Sequence, residues 1–169
     1  MQFAKAAGAC VVAITSSEEK AKKLRELGAN NVINYTTQPN WGEVARLHTP
    51  NGAGFDHIIE VGGSKNLPQS ISCIKHEGVV DMIGFIGGEH ERTVSYMDLL
   101  STICTLRGIY VGSRALMKEM IRAIEIHDIH PVLDNKVFKF EEVKEAYQYM
   151  WEQKHFGKSI LQPRFKNVP

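Results

Sequence analysis

The sequence predicts an α/β protein built on a doubly wound parallel sheet. Five runs rich in apolar and β-branched residues alternate with segments of helical periodicity. Several of these runs are apolar throughout, which is typical of strands covered on both faces of a parallel sheet. Glycines follow most of the runs, where a strand has to turn toward a helix. The predicted strands span residues 10–15, 31–35, 55–61, 78–84 and 106–112.

The first predicted helix follows the run at residues 10–15. Ser16 and Glu19 stand at the spacing of a capping box, with Ser16 as the N-cap. Gly28 is the predicted helix stop. The side chains expected to be buried on this helix are Ala21, Leu24 and Leu27.

Two later segments also have helical periodicity. The first is predicted to stop at Gly78 and to bury a stripe of Leu67, Ile71 and Ile74. The second has Ser113 as its predicted N-cap and an inner face of Leu116, Met120 and Ile124.

The chain opens on residues that are typical of the end of a helix rather than its start. No Ser, Thr, Asp or Asn precedes Phe3, and Gly8 stops the helical segment before an apolar run. We therefore expect the sequence to begin inside a βαβ unit, without the first strand and its turn. In dinucleotide-binding folds that turn carries the phosphate-binding glycines. The strand edges beside a missing central strand would need another partner.

The alternation of strands and helices ends after residue 130. We predict a partial dinucleotide-binding domain at 1–130, a segment at 131–162 that returns to a mostly missing second domain, and a loose tail at 163–169. The return segment is predicted to contain strands at 136–140 and 159–162. Between them lies a helix with an apolar stripe of Val143, Ala146, Tyr147 and Met150.

Composition is that of an ordinary globular protein of 169 residues, with 43% hydrophobic and 23% charged residues. The formal net charge of +1 gives no reason to expect nucleic acid or an acidic membrane surface as a partner. No apolar run approaches the roughly 20 residues that span a membrane. No signal-peptide pattern is present either, so we expect a cytoplasmic location.

Neither the cysteines nor the histidines form a metal-binding pattern. Cys10, Cys73 and Cys104 lie far apart in apolar surroundings, so we expect reduced, buried and inert thiols. The histidines form no HxxxH pair or Cys/His cluster, and we expect surface or turn positions for His48, His57, His76, His90, His127, His130 and His155. No metal site is predicted in this sequence.

Glycines recur at the carboxyl ends of the predicted strands. Gly62, Gly63, Gly84 and Gly112 are examples. Ligands of open α/β sheets bind at this edge, and glycine lets the backbone approach a flat ring or a phosphate. Turn geometry alone would also account for these glycines, so both interpretations stay open.

The end of the first predicted strand favours a phosphorylated ribose. An NAD-binding sheet has a carboxylate there for the ribose 2′-hydroxyl, whereas this chain has Ser16 and Ser17, with Lys20 one turn later. Hydroxyls, a helix N-terminus and a lysine suit a 2′-phosphate, and Tyr35 could add a phenolic donor. The pattern favours NADP(H) over NAD(H). A helix cap at Ser16 and a solvated Lys20 remain the alternative.

Seven segments of the chain resemble the medium-chain dehydrogenase/reductase superfamily, most closely its zinc-type alcohol dehydrogenases and quinone oxidoreductases. The segments occur in the order and at the spacing of that superfamily, and the resemblance extends to about residue 162. They are QFAKAAGA (2–9), TSSEEK (15–20), LGANNVINY (27–35), FDHIIEVGG (55–63), GVVDMIG (78–84), RGIYVGSR (107–114) and HFGK (155–158).

The resemblance implies a Rossmann-like sheet lacking its first strand, and it implies which residues bind the cofactor. Contacts with the adenosine 2′-phosphate of NADP(H) would come from Ser16, Lys20 and Tyr35. The cofactor would be lined by Val61 and Gly62, with its nicotinamide near Ile83, Gly84 and Phe85. Its carboxamide would be held by Val111, Gly112 and Ser113, and the return segment would bring Gly157 and Lys158.

The resemblance also implies the chemistry. The parent enzyme would transfer a hydride between the nicotinamide of NADP(H) and a small-molecule substrate with a carbonyl, alcohol or activated double bond. Any catalytic zinc would bind in the missing domain, and no catalytic residue is identified in these 169 residues. The strand at residues 107–112 pairs across a dimer axis in the family, so a homodimer is expected.

Two other functions are compatible with the sequence. A truncated chain without its phosphate turn could act as a non-catalytic nucleotide-binding or oligomerisation module. A related adenine-nucleotide domain, such as a methyltransferase, is a further alternative. The strand end at residues 15–17 argues against it, because no acid stands there to bind a ribose diol.

Overall fold

The computed structural model describes residues 1–88 and 94–163, which form two compact units, Met1–Lys118 and Glu119–Pro169. The predicted division after residue 130 stays a prediction. His90 and all but the first residue of the predicted tail at 163–169 lie outside the described residues.

The first unit contains all five predicted strands, and each neighbouring pair is parallel. The α/β class and the parallel pairing are therefore confirmed. The elements in chain order are α1 (Gln2–Ala6), β1 (Val12–Thr15), α2 (Glu18–Glu26), β2 (Asn31–Asn34), α3 (Trp41–Arg46), β3 (Phe55–Glu60), α4 (Leu67–Cys73), β4 (Ile74–Met82), α5 (Tyr96–Thr102) and β5 (Thr105–Gly108). The next helix, α6 (Arg114–Ile126), begins in this unit.

The strands form two sheets rather than one. β1 pairs with β2, and β4 lies between β3 and β5, while no strand of the described residues bridges β1 and β3. Both sheets nevertheless pack on the same helical layer, because Ile14 of β1 and Ile58 of β3 contact one core cluster. The buried members of that cluster are Ile33, Trp41, Ala45 and Cys73. The structure thus has two inner strand edges, on β1 and β3, where the sequence predicts a missing central strand.

A second core cluster lies under the larger sheet. Ile74 and Val80 of β4 are almost completely buried there with Ile71 of α4. The partly buried side chains packed against them include Leu67, Met82, Leu99 and Leu106. This cluster fixes α4 and α5 against β4.

Two predicted helix limits are wrong. Ser17, not Ser16, is the N-cap of α2, because Ser17 has the extended backbone and its Oγ accepts the Lys20 N–H at 3.2 Å. The second predicted helix ends at Cys73, and Ile74 starts β4 with extended backbone angles. The apolar side chain of Ile74 fits a helical stripe and a strand equally well, so its spacing misled the prediction.

The third predicted helix, α6, has its expected cap but not its expected burial. Ser113 Oγ accepts the Leu116 N–H at 3.2 Å. The helix has no buried residue, and Leu116 on its predicted inner face is 57% exposed. The amphipathic pattern thus predicts the apolar face, but Leu116 and Met120 of that face are exposed and Ile124 is only half-buried.

The second unit contains β6 (Leu133–Lys139), α7 (Val143–Trp151) and β7 (Lys158–Gln162), with β6 and β7 parallel. Its core includes Phe138 and Ala146, while Tyr147 of the predicted stripe is exposed. Among residues 1–88 and 94–163, no helix combines the length and apolarity required to cross a membrane.

Replacing Ile74 with alanine tests the second core cluster. Ile74 is 1% exposed, so Ile74→Ala is expected to lower the free energy of unfolding by about 2–5 kcal/mol. The measurement is a urea titration followed by circular dichroism. Leu47→Ala is the control, because Leu47 is 78% exposed and its loss should cost no more than about 0.5 kcal/mol. Equal losses in the two variants would contradict the assignment of the core.

Candidate nucleotide-binding site

Two loops at the carboxyl ends of β3 and β4 are joined by backbone hydrogen bonds. We call residues 61–63 and 83–88 the tip loops. The Ile83 N–H donates to the Glu60 carbonyl at 2.9 Å, the Ile86 N–H to the Val61 carbonyl at 3.2 Å, and the Gly87 N–H to the Gly62 carbonyl at 2.7 Å. The parallel pairing of the strands therefore continues into the loops and holds them side by side.

Glycine is required where the tip loops meet. A β-carbon on Gly84 would lie 2.7 Å from the Val61 carbonyl oxygen, and one on Gly87 would lie 2.5 Å from the Gly62 carbonyl oxygen. Backbone atoms cannot move aside as a flexible side chain can. At these two positions, packing between the loops is sufficient to explain the glycine without any ligand.

A buried carboxylate organises the first tip loop. Glu60 is 5% exposed, and its Oε1 accepts the N–H groups of Gly62 at 2.6 Å and Gly63 at 3.1 Å. Its Oε2 accepts the Ser70 hydroxyl of α4 at 2.5 Å. Successive backbone N–H groups of this kind can bind an anion, but here the protein's own carboxylate already occupies them. This loop therefore offers apolar side chains, not phosphate donors, to a ligand.

Apolar side chains surround the tip loops. Val61, Ile83 and Phe85 are exposed, and Phe85 reaches 84%. The next strand joins the same edge, because the Ile109 N–H donates to the Met82 carbonyl at 2.9 Å. Exposed apolar groups of this kind beside a glycine-lined edge fit a flat, uncharged ring.

The predicted ring-binding residues come from three segments of the first unit. The structure brings together Val61, Gly62, Ile83, Gly84 and Phe85 at the tip loops. The segment after β5 carries Val111, Gly112 and Ser113, all of them exposed, and Ser113 also caps α6. Their roles toward a cofactor stay predictions.

The residues predicted for the 2′-phosphate lie around the carboxyl ends of β1 and β2. The Tyr35 N–H donates to the Thr15 carbonyl at 3.0 Å, which sets Tyr35 beside the residue that precedes Ser16. Lys20 lies in the first turn of α2, and the hydroxyl of Ser16 is exposed rather than used as the cap. The alternative explanation of Ser16 as a helix cap is therefore wrong.

Two glutamates in the first turn of α2 would repel an anion, but each has a cationic partner. Glu19 pairs with Lys23 at 3.0 Å, and Glu18 pairs with Arg25 at 2.8 Å. Both pairs are largely exposed and each contributes little to stability. They nevertheless place positive charge next to each carboxylate, which reduces the field that an anion near Lys20 would meet.

The two remaining predicted residues, Gly157 and Lys158, belong to the second unit. The Lys158 N–H donates to the Val132 carbonyl at 2.8 Å. The buried Asp134 carboxylate accepts the Phe156 N–H at 2.6 Å, which fixes the turn before Gly157. The approach of this turn to a cofactor stays a prediction.

The thiols and the metal-ligating side chains give no second site. Burial raises the pKa of the Cys73 thiol to about 12, so Cys73 is protonated and inert. Cys10 is exposed and Cys104 is half-buried, so the prediction of burial is wrong for Cys10. Within residues 1–88 and 94–163, no three His, Cys, Asp or Glu side chains are grouped closely enough to hold a metal ion.

A cavity of about 260 Å³ lies beside α4 and α5, away from the tip loops. None of the predicted site residues lines it. Its lining consists of Arg46, Pro68, Ile71, Ser72, Val94, Asp98, Ser101 and Thr102. Arg46 is already engaged there, since its guanidinium donates to the Gly52, Ala53, Ser72 and Ile74 carbonyls.

The parallel sheets, the helices that connect their strands and the glycine-bearing edge define a Rossmann-like α/β fold. The family model described as "Zinc-binding dehydrogenase" matches residues 1–125. The chain belongs to this family of zinc-type alcohol dehydrogenases and quinone oxidoreductase-like proteins.

Individual relatives agree with this assignment. The chain is 46% identical over 164 residues to a zinc-type alcohol dehydrogenase-like protein, C1773.06c, of Schizosaccharomyces pombe, covering 95% of this chain and 47% of that protein. A putative alcohol dehydrogenase from Sinorhizobium meliloti 1021 superimposes with a TM-score of 0.84 at 32% identity, covering 95% of this chain and 46% of the other.

The quinone oxidoreductase of Thermus thermophilus, which was also solved in complex with NADPH, has the same fold. It superimposes with a TM-score of 0.74 at 23% identity, covering 95% of this chain and 52% of the other. The chain spans about half the length of the relatives that it matches.

Replacing Gly84 with alanine tests the packing between the tip loops. Gly84→Ala forces its new methyl group against the Val61 carbonyl oxygen and is expected to cost about 1–3 kcal/mol of stability. Thermal unfolding measures the loss. Gly108→Ala is the matched control, because a β-carbon on Gly108 meets nothing within 4 Å. A tolerated Gly84→Ala would show that the two loops are not closely packed.

Proposed function

We propose that the chain is the cofactor-binding half of an NADP(H)-dependent oxidoreductase of the zinc-type alcohol dehydrogenase and quinone oxidoreductase family. The observation that carries the proposal is the surface of the tip loops, which consists of glycines and exposed apolar side chains. The N–H groups of the first tip loop, which could otherwise bind an anion, already donate to Glu60. This surface therefore suits the ring of a nucleotide cofactor rather than its phosphates. Family membership and the NADPH complex of the Thermus thermophilus neighbour support the same ligand.

Different sets of predicted site residues are suited to the nicotinamide end and to the 2′-phosphate end of NADP(H). In this proposal Val61, Gly62, Ile83, Gly84 and Phe85 line the nicotinamide end, and Val111, Gly112 and Ser113 hold its carboxamide. Ser16, Lys20 and Tyr35 bind the 2′-phosphate through hydroxyl donors and one positive charge. Gly157 and Lys158 are further proposed contacts of the cofactor.

The chain's own residues would bind, orient and shield the cofactor. When bound, the nicotinamide supplies or accepts the hydride, and the small-molecule substrate is a carbonyl compound, an alcohol or an activated alkene. The apolar side chains at the tip loops exclude water from the ring, and the fixed loops set its orientation. Any zinc ion of the parent enzyme would be held outside the described residues.

We also propose a cytoplasmic homodimer. β5 lies at the outer side of its sheet, with no further strand of the described residues beside it, and Tyr110 after it is strongly exposed. An unpaired strand edge followed by exposed apolar side chains is suited to pairing with the same edge of a second copy.

The second candidate function is a non-catalytic nucleotide-binding or oligomerisation module. The observation that favours it is the length of the chain, which is about half the length of the relatives named above. The module would bind the same nucleotide and would differ only in the absence of turnover.

Nucleotide preference tests the proposal directly. The chain is expected to quench or shift NADPH fluorescence with higher affinity than NADH. Lys20→Ala should raise the Kd for NADPH by about tenfold to a hundredfold, because a charge-assisted hydrogen bond to phosphate contributes about 1.5–3 kcal/mol, and should leave NADH binding unchanged. Lys22→Ala, on an exposed position of the same helix, is the control. Equal binding of both nucleotides by the unaltered chain would refute the 2′-phosphate site.

Turnover separates the two candidate functions. The purified chain alone is expected to oxidise NADPH slowly or not at all with a quinone or an aldehyde, because it spans about half the length of its relatives. Absorbance at the nicotinamide band follows the reaction. Steady oxidation by the chain alone would contradict this expectation and would exclude the non-catalytic module.

A further inference from the structure

Glu60 is a buried charge whose described partners are hydrogen-bond donors rather than a cation. A carboxylate is costly to bury unless its oxygens are satisfied. Two peptide N–H groups and the Ser70 hydroxyl meet that need. The sequence signal for this residue is an acid that ends an apolar run and precedes two glycines, at residues 58–63.

Two peptide units lie between Glu60 and the second tip loop. In the first unit, the Gly62 N–H donates to Glu60 while the Val61 carbonyl accepts the Ile86 N–H. In the second, the Gly63 N–H donates to Glu60 while the Gly62 carbonyl accepts the Gly87 N–H. A trans peptide is planar, with its N–H and C=O pointing in opposite directions. Holding each N–H on one side therefore aims each carbonyl at the second loop.

The carboxylate is itself anchored by α4. Ser70 is completely buried and donates to Oε2. The start of the same helix is tied to the first tip loop, because the Asn66 and Leu67 N–H groups donate to the Gly63 carbonyl at 3.0 and 3.1 Å. The helix, the carboxylate and both tip loops thus form one hydrogen-bonded assembly.

We propose that Glu60 is a positioning residue for the cofactor: it orients the two peptide units that align the tip loops, and in this way it sets the surface that receives the nicotinamide. The proposal rests on the proposed function for its ligand, but the alignment of the loops can be measured without any ligand. Glu60 itself would not touch the cofactor, since its two oxygens face the loop N–H groups and α4.

Amide hydrogen exchange of the full chain tests the alignment. Glu60→Gln keeps the size of the side chain but removes its charge, so the charge-assisted hydrogen bonds to Gly62 and Gly63 are lost. The Ile86 and Gly87 amides, which do not contact Glu60, should then exchange about tenfold faster. The Ile109 amide, which donates to the Met82 carbonyl at the end of β4, should be unaffected. Ser70→Ala removes only one anchoring bond and should act in the same direction with a smaller effect, while Glu60→Asp should restore part of the protection.

Val80→Ala is the control for a merely structural role. Val80 is fully buried in the core under the same sheet, so its truncation lowers stability without touching the tip loops. Exchange at Ile86 and Gly87 in this variant should match the unaltered chain. If Glu60→Gln leaves these two amides as protected as Val80→Ala does, Glu60 does not align the second loop and the proposal is overturned.

Nucleotide binding provides the second measurement. The Kd for NADPH should rise about tenfold in Glu60→Gln and stay unchanged in Val80→Ala. Faster loop exchange with unchanged NADPH affinity would overturn the positioning role. An unaltered chain that binds no NADPH would refute the proposed function instead, and the exchange experiment would still decide whether Glu60 aligns the loops.

Discussion

The parallel hydrogen-bond ladder of β3, β4 and β5 continues beyond the ends of the strands. The Ile83 N–H donates to the Glu60 carbonyl and the Ile109 N–H donates to the Met82 carbonyl. The segment that follows each strand is therefore aligned with the segment that follows the neighbouring strand. Segments that are about 25 residues apart in sequence therefore share one edge. The candidate site of the first unit depends on this constraint, because antiparallel strands would send alternate exits to opposite sides of the molecule.

Local patterns were sufficient to predict the strands and their direction. Apolar runs separated by helical segments leave few arrangements other than parallel pairing, and each run is a strand in the structure. The ends of the helices and strands were less predictable, since Ile74 suits either the apolar stripe of a helix or the buried first residue of a strand. For α6, the spacing predicts which face is apolar but carries no information on what covers it, and Leu116 is exposed.

The site could be predicted in outline only. Glycines marked the correct edge, yet Gly84 and Gly87 are explained by contact between two loops, which no local pattern reveals. The spacing of Ser16 to Glu19 predicts Ser16 as the cap, although the backbone angles show that Ser17 is the cap. Glu60 was overlooked because its importance comes from Ser70, ten residues later, and from the two N–H groups that it accepts. These are relations in space rather than in sequence.

The inner edges of β1 and β3 have a consequence for the behaviour of the chain in solution. Each presents a row of peptide N–H and C=O groups for which the described residues supply no strand, and the nearby Ile59 adds an exposed apolar side chain. Such edges are templates for intermolecular β-pairing. Aggregation of this polypeptide should therefore increase with its concentration, and any segment that pairs with the two edges would reduce it.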